Sequence, residues 1–180
     1  MRIRREHSLG VVVDIQERLF PHIHEHDALA QRCAMLIQGL QILDVPLIVT
    51  QQYTKGLGPT IPLIVEALGT YTPLEKLSFS IVGNPDVEAR ILSAHGHHVI
   101  VFGIETHVCV LQSVLDILAQ GRQAIVVEDC VSSRRPHDKR VAIERMRSAG
   151  AVITTAESLL FELLEEAGTD TFKQISALVK

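Results

Sequence analysis

Tryptophan is absent from this sequence of 180 residues, and cysteine is rare: only Cys33, Cys109 and Cys130 are present. The three cysteines are widely spaced, and no two of them form a C-x-x-C pair. Their odd number argues against a disulfide framework, and the missing pair leaves a thioredoxin-like site or a zinc ribbon without support. Sparse cysteines indicate a reducing compartment, so we expect the protein to be cytoplasmic.

Long apolar runs and an excess of basic charge are also missing. No hydrophobic stretch approaches the length of a membrane span, and no long apolar region precedes the first predicted strand, so we expect neither a membrane partner nor a secretory signal. The formal net charge is −4, which provides no basic field for nucleic acid. With 47% hydrophobic and 21% charged residues, the chain is typical of a globular protein. We expect one domain over residues 1–180.

Strand-like and helix-like patterns alternate along the chain. Short, β-branched or apolar runs predict strands over 9–14, 46–51, 74–79, 98–102, 124–127 and 151–154. Helical spacing predicts helices over 28–43, 60–67, 86–94, 108–121, 136–149, 158–167 and 171–180. Asn84 and Pro85 are the predicted cap and first residue of the third of these helices. The alternation predicts the α/β class, with a six-stranded, mainly parallel sheet between two layers of helices.

Polar side chains lie at or beyond the ends of these predicted strands. In chain order they are Asp14; Gln51, Gln52 and Tyr53; Lys76; Cys109; and Glu128, Asp129 and Cys130. Ligands of open α/β sheets bind beyond the carboxyl ends of the strands, so these residues are candidates for a site. Asp14 follows three valines, where a carboxylate is costly to bury unless it is paired. It is either a structural cap or a catalytic carboxylate.

Residues 99–110 form the most informative segment, which reads VIVFGIETHVCV. The pattern predicts a buried strand, a turn that starts at Gly103, and a helix from Val108 onward. Cys109 is therefore placed in the first helical turn, where free amides and the helix dipole favour a thiolate. Cys109 is either such a nucleophile or a small buried apolar residue.

Asp14, Lys76 and Cys109 at three strand ends form a chemically sensible set. A lysine beside a cysteine favours the thiolate and lowers the thiol pKa. A neighbouring carboxylate can accept the thiol proton and later pass it to a leaving group. Backbone amides in the turn before Cys109 can hold an oxyanion. The set suits acyl transfer through a thioester, followed by hydrolysis.

Three motifs resemble those of the isochorismatase-like cysteine hydrolases, a family that includes nicotinamidases, N-carbamoylsarcosine amidases and isochorismatases. They are VVVDIQERL with Asp14, LEKLSFS with Lys76, and VFGIETHVCVLQSVLDILAQG with Cys109. The segments QQYTKGLGPTIP and VEDCVSSR resemble the branch of isochorismatase domain-containing proteins. The resemblance implies a Rossmann-like fold in which Cys109 is the nucleophile, Asp14 the general base, and Lys76 a support for both.

The resemblance also implies a non-proline cis peptide between Ile104 and Glu105, with an oxyanion hole formed by the amides of Glu105 and Cys109. Two departures from the family pattern matter. Nicotinamidases carry an Asp-x-His metal motif where this chain has Gln51-Gln52-Tyr53, so we expect no metal and no cofactor. Isochorismatases that cleave a vinyl ether lack the cysteine nucleophile, so Cys109 points to a different reaction.

Five further residues are predicted to line the substrate pocket: Gln16, Phe20, Gln51, Tyr53 and His107. Core packing explains Phe20 and Tyr53 equally well. His107 adjoins Cys109, but neighbouring residues on a helix point in different directions, so it is interpreted as pocket wall rather than as a base.

Several residues compete with these candidates. Lys55 is the rival of Lys76 and lies in a glycine-rich loop that is expected to be mobile. Cys130 is the rival nucleophile, although packing is favoured for it, and Cys33 is expected to be inert core. Two groups of histidines could bind a metal, but a position on the surface is preferred for both. They are His22, His24 and His26, and His95, His97 and His98. The turn 132–134 is expected to hold helix ends or to face a neighbouring subunit.

We therefore predict a hydrolase that cleaves a small amide-like or related substrate through a thioester on Cys109, in a homo-oligomer. The alternative is a catalytically silent, oligomeric binding or scaffold protein with the same fold. Because no G-x-G-x-x-G follows the first strand, a dinucleotide-binding oxidoreductase is disfavoured.

Overall fold

Six parallel strands form the central sheet of the computed structural model, which describes residues 2–93 and 97–180. The strands are β1 (Ser8–Val13), β2 (Leu47–Gln52), β3 (Leu74–Lys76), β4 (His98–Ile104), β5 (Gln123–Ser132) and β6 (Val152–Thr154). Their order is β3-β2-β1-β4-β5-β6, and every neighbouring pair runs parallel. The predicted six-stranded parallel sheet is confirmed.

Helices connect the strands and cover the sheet. They are α1 (His26–Ile42), α2 (Thr54–Leu57), α3 (Pro62–Leu68), α4 (Pro85–Ser93), α5 (Leu111–Ala119), α6 (Pro136–Ser148), α7 (Ala156–Leu164) and α8 (Asp170–Leu178). As predicted, Asn84 caps α4: its Oδ1 accepts hydrogen bonds from the amides of Asp86 (2.9 Å) and Val87 (3.1 Å). Within the described residues, no helix is long and apolar enough to cross a lipid bilayer.

The helices lie in two layers because the chain builds the sheet outward from its centre in both directions, from β1 to β3 on one side and from β4 to β6 on the other. The β1–α1–β2 and β4–α5–β5 connections run to opposite sides, and right-handed crossovers then place α1 and α5 on opposite faces. Helix α1 packs with α3, α7 and α8, and α5 packs with α6. All residues of β1 and β4 are buried, as expected for parallel strands that are covered on both faces.

The strand order reverses between β1 and β4, and in open α/β sheets the crevice that takes ligands lies outside the carboxyl ends of the strands at such a reversal. Gly103, near the end of β4, allows the strands to approach closely there. Its φ is +124°, and a Cβ at this position would lie 2.1 Å from the carbonyl oxygen of Val13. Any larger residue would push β4 away from β1, so the glycine fixes the width of the crevice.

Several predicted boundaries are wrong close to this crevice. Strand β4 continues through Gly103 to Ile104, so Gly103 does not start a turn. Strand β3 ends at Lys76 rather than at residue 79, and the expected loop after β2 contains the short helix α2. Strand β5 extends to Ser132, with a register shift against β4 over the stretch that holds residues 128–130. Ala94, predicted as helical, lies outside the described residues.

The helix predicted over 108–121 has two parts. Residues Thr106–Val110 form a π-helical turn, and α5 begins only at Leu111. Cys109 therefore lies in a wide turn before the α-helix and not in the first turn of that helix. π-Helical turns are rare in proteins, and those that occur are often found at functional sites.

Candidate active site

A buried ion pair lies at the crevice. Asp14 follows β1 with a left-handed backbone conformation (φ 51°), and Lys76 ends the edge strand β3. Their side chains are fully buried, with Lys76 Nζ 2.6 Å from Asp14 Oδ2. The hydroxyl of Thr50, on β2 between them, donates to Asp14 Oδ1 at 2.8 Å. Both carboxylate oxygens are thus engaged, as a buried charge requires.

The Lys76 ammonium has acceptors on its other sides as well. It donates to Gln52 Oε1 (2.8 Å) and to the carbonyls of Ser78 (3.2 Å) and Phe79 (3.0 Å). Gln52 is oriented in turn, because its Nε2 donates to the Leu77 carbonyl at 2.8 Å. The chain turns around the ammonium directly after β3 and thereby holds the lysine in place.

Cys109 reaches this ion pair from the π-helical turn after β4. It is 6% exposed, and its thiol interacts with both Asp14 and Lys76. Ser113 on α5 donates to the Cys109 carbonyl at 2.6 Å and accepts from the Ile81 amide at 3.0 Å. Ser113 therefore links the π-helical turn that holds Cys109 to Ile81, in the segment that follows Lys76.

The thiol of Cys109 is held in its neutral form. Burial raises the pKa of this thiol to about 12; the carboxylate of Asp14 also raises it, and the Lys76 ammonium acts in the opposite direction. The lowered pKa predicted from the helix position is wrong, because Cys109 precedes α5 and lies buried beside a carboxylate. A nucleophilic Cys109 must therefore lose its proton during the reaction, and Asp14 is the adjacent acceptor.

The peptide between Ile104 and Glu105 is cis, as the resemblance implies. After it, the Glu105 carbonyl accepts hydrogen bonds from the amides of Val108 (3.1 Å) and Val110 (3.2 Å), on either side of Cys109. The role of the Glu105 and Cys109 amides as an oxyanion hole stays a prediction.

Two predicted pocket residues hold the scaffold together. Gln16 is fully buried, and its amide donates to the carbonyls of Gln52 (3.0 Å) and Gly58 (2.7 Å) and accepts from the Gln52 amide (2.7 Å). Gln51 donates to Thr60 Oγ1 at 3.0 Å and accepts from Thr54 Oγ1 at 3.2 Å. Because the side-chain amides of Gln51 and Gln52 at the end of β2 are engaged with protein groups, this stretch does not fit the metal site that nicotinamidases carry there.

The other three pocket candidates differ in where they lie. Phe20 stacks on His26 with ring centroids 5.0 Å apart and lines a cavity of about 470 Å³ whose lining does not include Cys109. Tyr53 is 49% exposed, and its amide donates to the Lys76 carbonyl at 3.0 Å. The Nδ1 of His107 lies 2.9 Å from the Ser133 hydroxyl.

The rival residues lie elsewhere. Cys130 is fully buried, and Cys33 donates to its carbonyl at 3.4 Å. Burial and the neighbouring Cys33 raise the pKa of the Cys130 thiol. Lys55 is exposed on α2, apart from the buried ion pair. These positions agree with packing for the two cysteines and with a surface position for Lys55.

No group of three or more histidine, cysteine or acidic residues converges on a common point in ranges 2–93 and 97–180. In the HIHEH stretch, His24 lies 3.7 Å from Glu25, and His26 lies 3.1 Å from Asp27. His98 is buried at the start of β4, contrary to the expected solvated loop. His95 lies outside the described residues.

Sequence reasoning missed Thr50 and Ser113, which orient Asp14 and Cys109, and it did not predict that Gln52 binds Lys76 or that Arg134 binds Glu105. Thr50 could have been predicted to bind a neighbouring side chain, because a hydroxyl in a strand that is buried on both faces needs a hydrogen-bond partner. Thr106 was missed as well. It is fully buried, and its Oγ1 has no hydrogen-bond partner among the residues that the structure describes.

Fold and site together define an α/β protein with a candidate hydrolytic centre at the switch point of its sheet. The family model described as "Isochorismatase domain" matches residues 8–158, and the chain belongs to this family. It is 37% identical over 181 residues to isochorismatase domain-containing protein 2A of Mus musculus, covering 99% of this chain and 85% of the mouse protein. The family resemblance of the three motifs is thus confirmed.

Two solved structures place the fold. MAR1 ribonuclease from Caenorhabditis elegans superposes with a TM-score of 0.93 at 37% identity, covering 99% of this chain and 92% of that chain. The YcaC gene product from Escherichia coli, described as an octameric hydrolase of unknown specificity, superposes with a TM-score of 0.89. It is 21% identical, with 99% of this chain and 87% of that chain covered, so it supports the fold alone. The chain has an isochorismatase-family hydrolase fold.

Proposed function

We propose that this protein hydrolyses a small amide-like or related substrate through a thioester on Cys109. The observation that carries the proposal is the Cys109 thiol beside the buried Asp14–Lys76 ion pair. A buried ion pair adds little net stability compared with apolar residues of similar size. Its place beside a cysteine, at the edge where α/β proteins bind ligands, supports a chemical role.

In the first half of the reaction, Cys109 Sγ attacks the carbonyl carbon of the substrate while Asp14 takes the thiol proton. The tetrahedral intermediate then loses its C–N bond, and Asp14 returns the proton to the departing nitrogen. An amine leaves, and the acyl group remains on Cys109 as a thioester.

In the second half, a water molecule attacks the thioester carbonyl, and Asp14 accepts one of its protons. The C–S bond breaks, and the proton passes to the sulfur, so that Cys109 is regenerated as a thiol with a carboxylic acid as product. Asp14 therefore serves twice as base and twice as acid, which suits a carboxylate that is oriented from both oxygens.

Lys76 has an electrostatic role in this scheme. Its ammonium holds Asp14 at 2.6 Å and opposes the rise in the Cys109 pKa, so it stabilises the negative charge that moves between the two groups. The amides of Glu105 and Cys109 are proposed to receive the substrate oxygen, where the negative charge develops.

The burial of all three side chains supports a small substrate. The E. coli structural neighbour is described as octameric, and we propose that this chain also forms a homo-oligomer. The C. elegans structure is described as a ribonuclease. A net charge of −4 and the burial of Cys109 do not favour an RNA substrate for this chain.

A panel of small primary amides, N-carbamoyl compounds and esters, with a short RNA added, tests the proposal. We expect hydrolysis of at least one small carbonyl compound, a mass increase at Cys109 equal to the acyl group, and loss of both in Cys109→Ser. Activity is expected to persist in EDTA, because the side-chain amides of Gln51 and Gln52 at the end of β2 are already engaged with protein groups. Turnover that persists in Cys109→Ser, or a wild type that cleaves the RNA but none of the small compounds, would overturn the thioester mechanism.

A silent wild type with no activity on any compound favours the alternative of a binding or scaffold protein. Titration of the same panel by calorimetry then distinguishes that alternative, because a binding protein retains affinity in Cys109→Ser.

A further inference from the structure

The segment after β5 holds the two side chains that flank Thr106. Arg134 donates to the Glu105 carboxylate twice, from its backbone amide at 3.1 Å and from Nε at 3.0 Å. One residue earlier, the Ser133 hydroxyl lies 2.9 Å from His107 Nδ1. The first part of the π-helical turn is thus attached to the loop between β5 and α6.

The Glu105 carboxylate is an unusual group to place there. Its side chain is 7% exposed, whereas the side chain of Arg134 is 58% exposed. A buried carboxylate is costly unless it is paired and hydrogen-bonded. A surface arginine therefore stabilises a buried charge on the residue that follows the cis peptide, where an apolar side chain would need no partner.

We propose that Arg134 is a positioning residue for hydrolysis: it fixes Glu105 and thereby aims the Glu105 amide at the substrate oxygen. This inference rests on the proposed function, since it concerns the oxyanion of an acyl transfer. The backbone amide and the guanidinium of Arg134 both bind the same oxygen, Glu105 Oε2, so that oxygen is held by two donors.

The Glu105 carbonyl binds amides on either side of Cys109, but the nucleophile also has anchors that do not involve Glu105. The Cys109 carbonyl is bound by Ser113, and the thiol interacts with Asp14 and Lys76. Loss of the Arg134 guanidinium should therefore displace the oxyanion donor more than the sulfur. A reaction that builds an oxyanion should slow, and a reaction of the same sulfur without an oxyanion should not.

Two reagents on Cys109 separate these effects. p-Nitrophenyl acetate acylates a thiol through a tetrahedral oxyanion, and iodoacetamide alkylates it by direct displacement without one. In Arg134→Ala, we expect acylation of Cys109 to slow by about tenfold or more, as misplaced groups in active sites cause, with alkylation unchanged within about twofold. Both rates are read by intact mass and peptide mapping of the full-length protein.

Matched variants test whether the charge pair is responsible. Lys139→Ala breaks the Lys139–Glu128 pair (2.8 Å) on the neighbouring helix and should change neither rate. Arg134→Lys and Glu105→Gln each keep part of the interaction, so their acylation rates should lie between those of wild type and Arg134→Ala. In steady-state hydrolysis, the loss should appear in kcat and leave KM nearly constant.

Each outcome decides between specific statements. Equal acylation in wild type and Arg134→Ala, or an equal slowing of both reagents, overturns the positioning role while the thioester mechanism stands. Acylation that persists in Cys109→Ser overturns the proposed function itself, whatever Arg134 does.

Discussion

Cys109 and Cys130 are both buried cysteines near the carboxyl ends of neighbouring strands, yet they have different surroundings. Cys109 follows β4, and its thiol lies under the influence of the Asp14 carboxylate and the Lys76 ammonium. Cys130 lies in the irregular part of β5, and after burial the strongest influence on its thiol is another thiol, Cys33. Burial raises the pKa of both thiols.

The comparison shows that strand position and burial do not make a nucleophile. Both thiols are neutral at physiological pH, so neither is activated in the resting protein. They differ in whether a base lies next to the sulfur and can remove its proton as a bond forms. Removal of the carboxylate beside Cys109 should therefore slow hydrolysis, and removal of the carboxylate beside Cys130 should not.

The largest expected difference is between Cys109→Ala and Cys130→Ala. The first should lower kcat/KM by at least about a thousandfold, since no thioester can form. The second should leave kcat/KM within about threefold and lower the free energy of unfolding by about 1 kcal/mol, because it opens a small cavity. Hydrolysis assays and urea unfolding measure the two quantities, and a large loss of activity in Cys130→Ala would reverse the assignment.

Removal of the base is the next test. Asp14→Asn should lower kcat by about 10²- to 10⁴-fold, the usual contribution of general acid–base catalysis. Asp129→Asn is the matched control beside Cys130. Asp129 accepts from the Ala156 amide at 2.8 Å, and an asparagine keeps that acceptor, so kcat should not change. Comparable single-turnover rates in Asp14→Asn and wild type would exclude Asp14 as the base.

The sequence predicts the elements of this site better than it predicts their chemistry. The six parallel strands followed from short β-branched runs, and Asp14 and Lys76 followed from polar residues at strand ends. The state of the Cys109 thiol did not follow. Its helix position was inferred from periodicity, which does not distinguish the π-helical turn from the start of α5.

Residues that orient the site were harder to find because their partners are distant in the chain. Arg134 and Glu105 meet only when β4 and β5 lie side by side, and Ser113 joins two segments that the sequence separates. The residues themselves indicated only that amides in the turn before Cys109 can hold an oxyanion. The cis peptide and the assignment of that role to the Glu105 and Cys109 amides came from family resemblance alone.

Thiol reactivity should respond to Asp14 in the opposite direction from hydrolysis. Between pH 7 and 10, alkylation of wild-type Cys109 by iodoacetamide should rise about tenfold per pH unit without a plateau, because the reacting thiolate has a pKa of about 12. The Asp14 carboxylate raises that pKa, so the Cys109 pKa should be lower in Asp14→Asn. Cys109 of that variant should therefore be alkylated several times faster at pH 8. Peptide mapping follows Cys109 and Cys130 in one digest, and slower alkylation of Cys109 in Asp14→Asn would contradict the assigned electrostatics.

The smallest expected effect concerns the stability of the Cys109 turn. Thr106 holds a buried hydroxyl without a partner among the described residues, and such a group costs about 1–3 kcal/mol. Thr106→Val keeps the shape and removes the hydroxyl, so the free energy of unfolding should rise by about 1 kcal/mol. Thr60→Val is the control: Thr60 is also buried, but its hydroxyl accepts from Gln51 at 3.0 Å, and its loss should lower stability. If urea unfolding shows that both variants are destabilised equally, the Thr106 hydroxyl is bonded in the folded protein and its burial carries no cost.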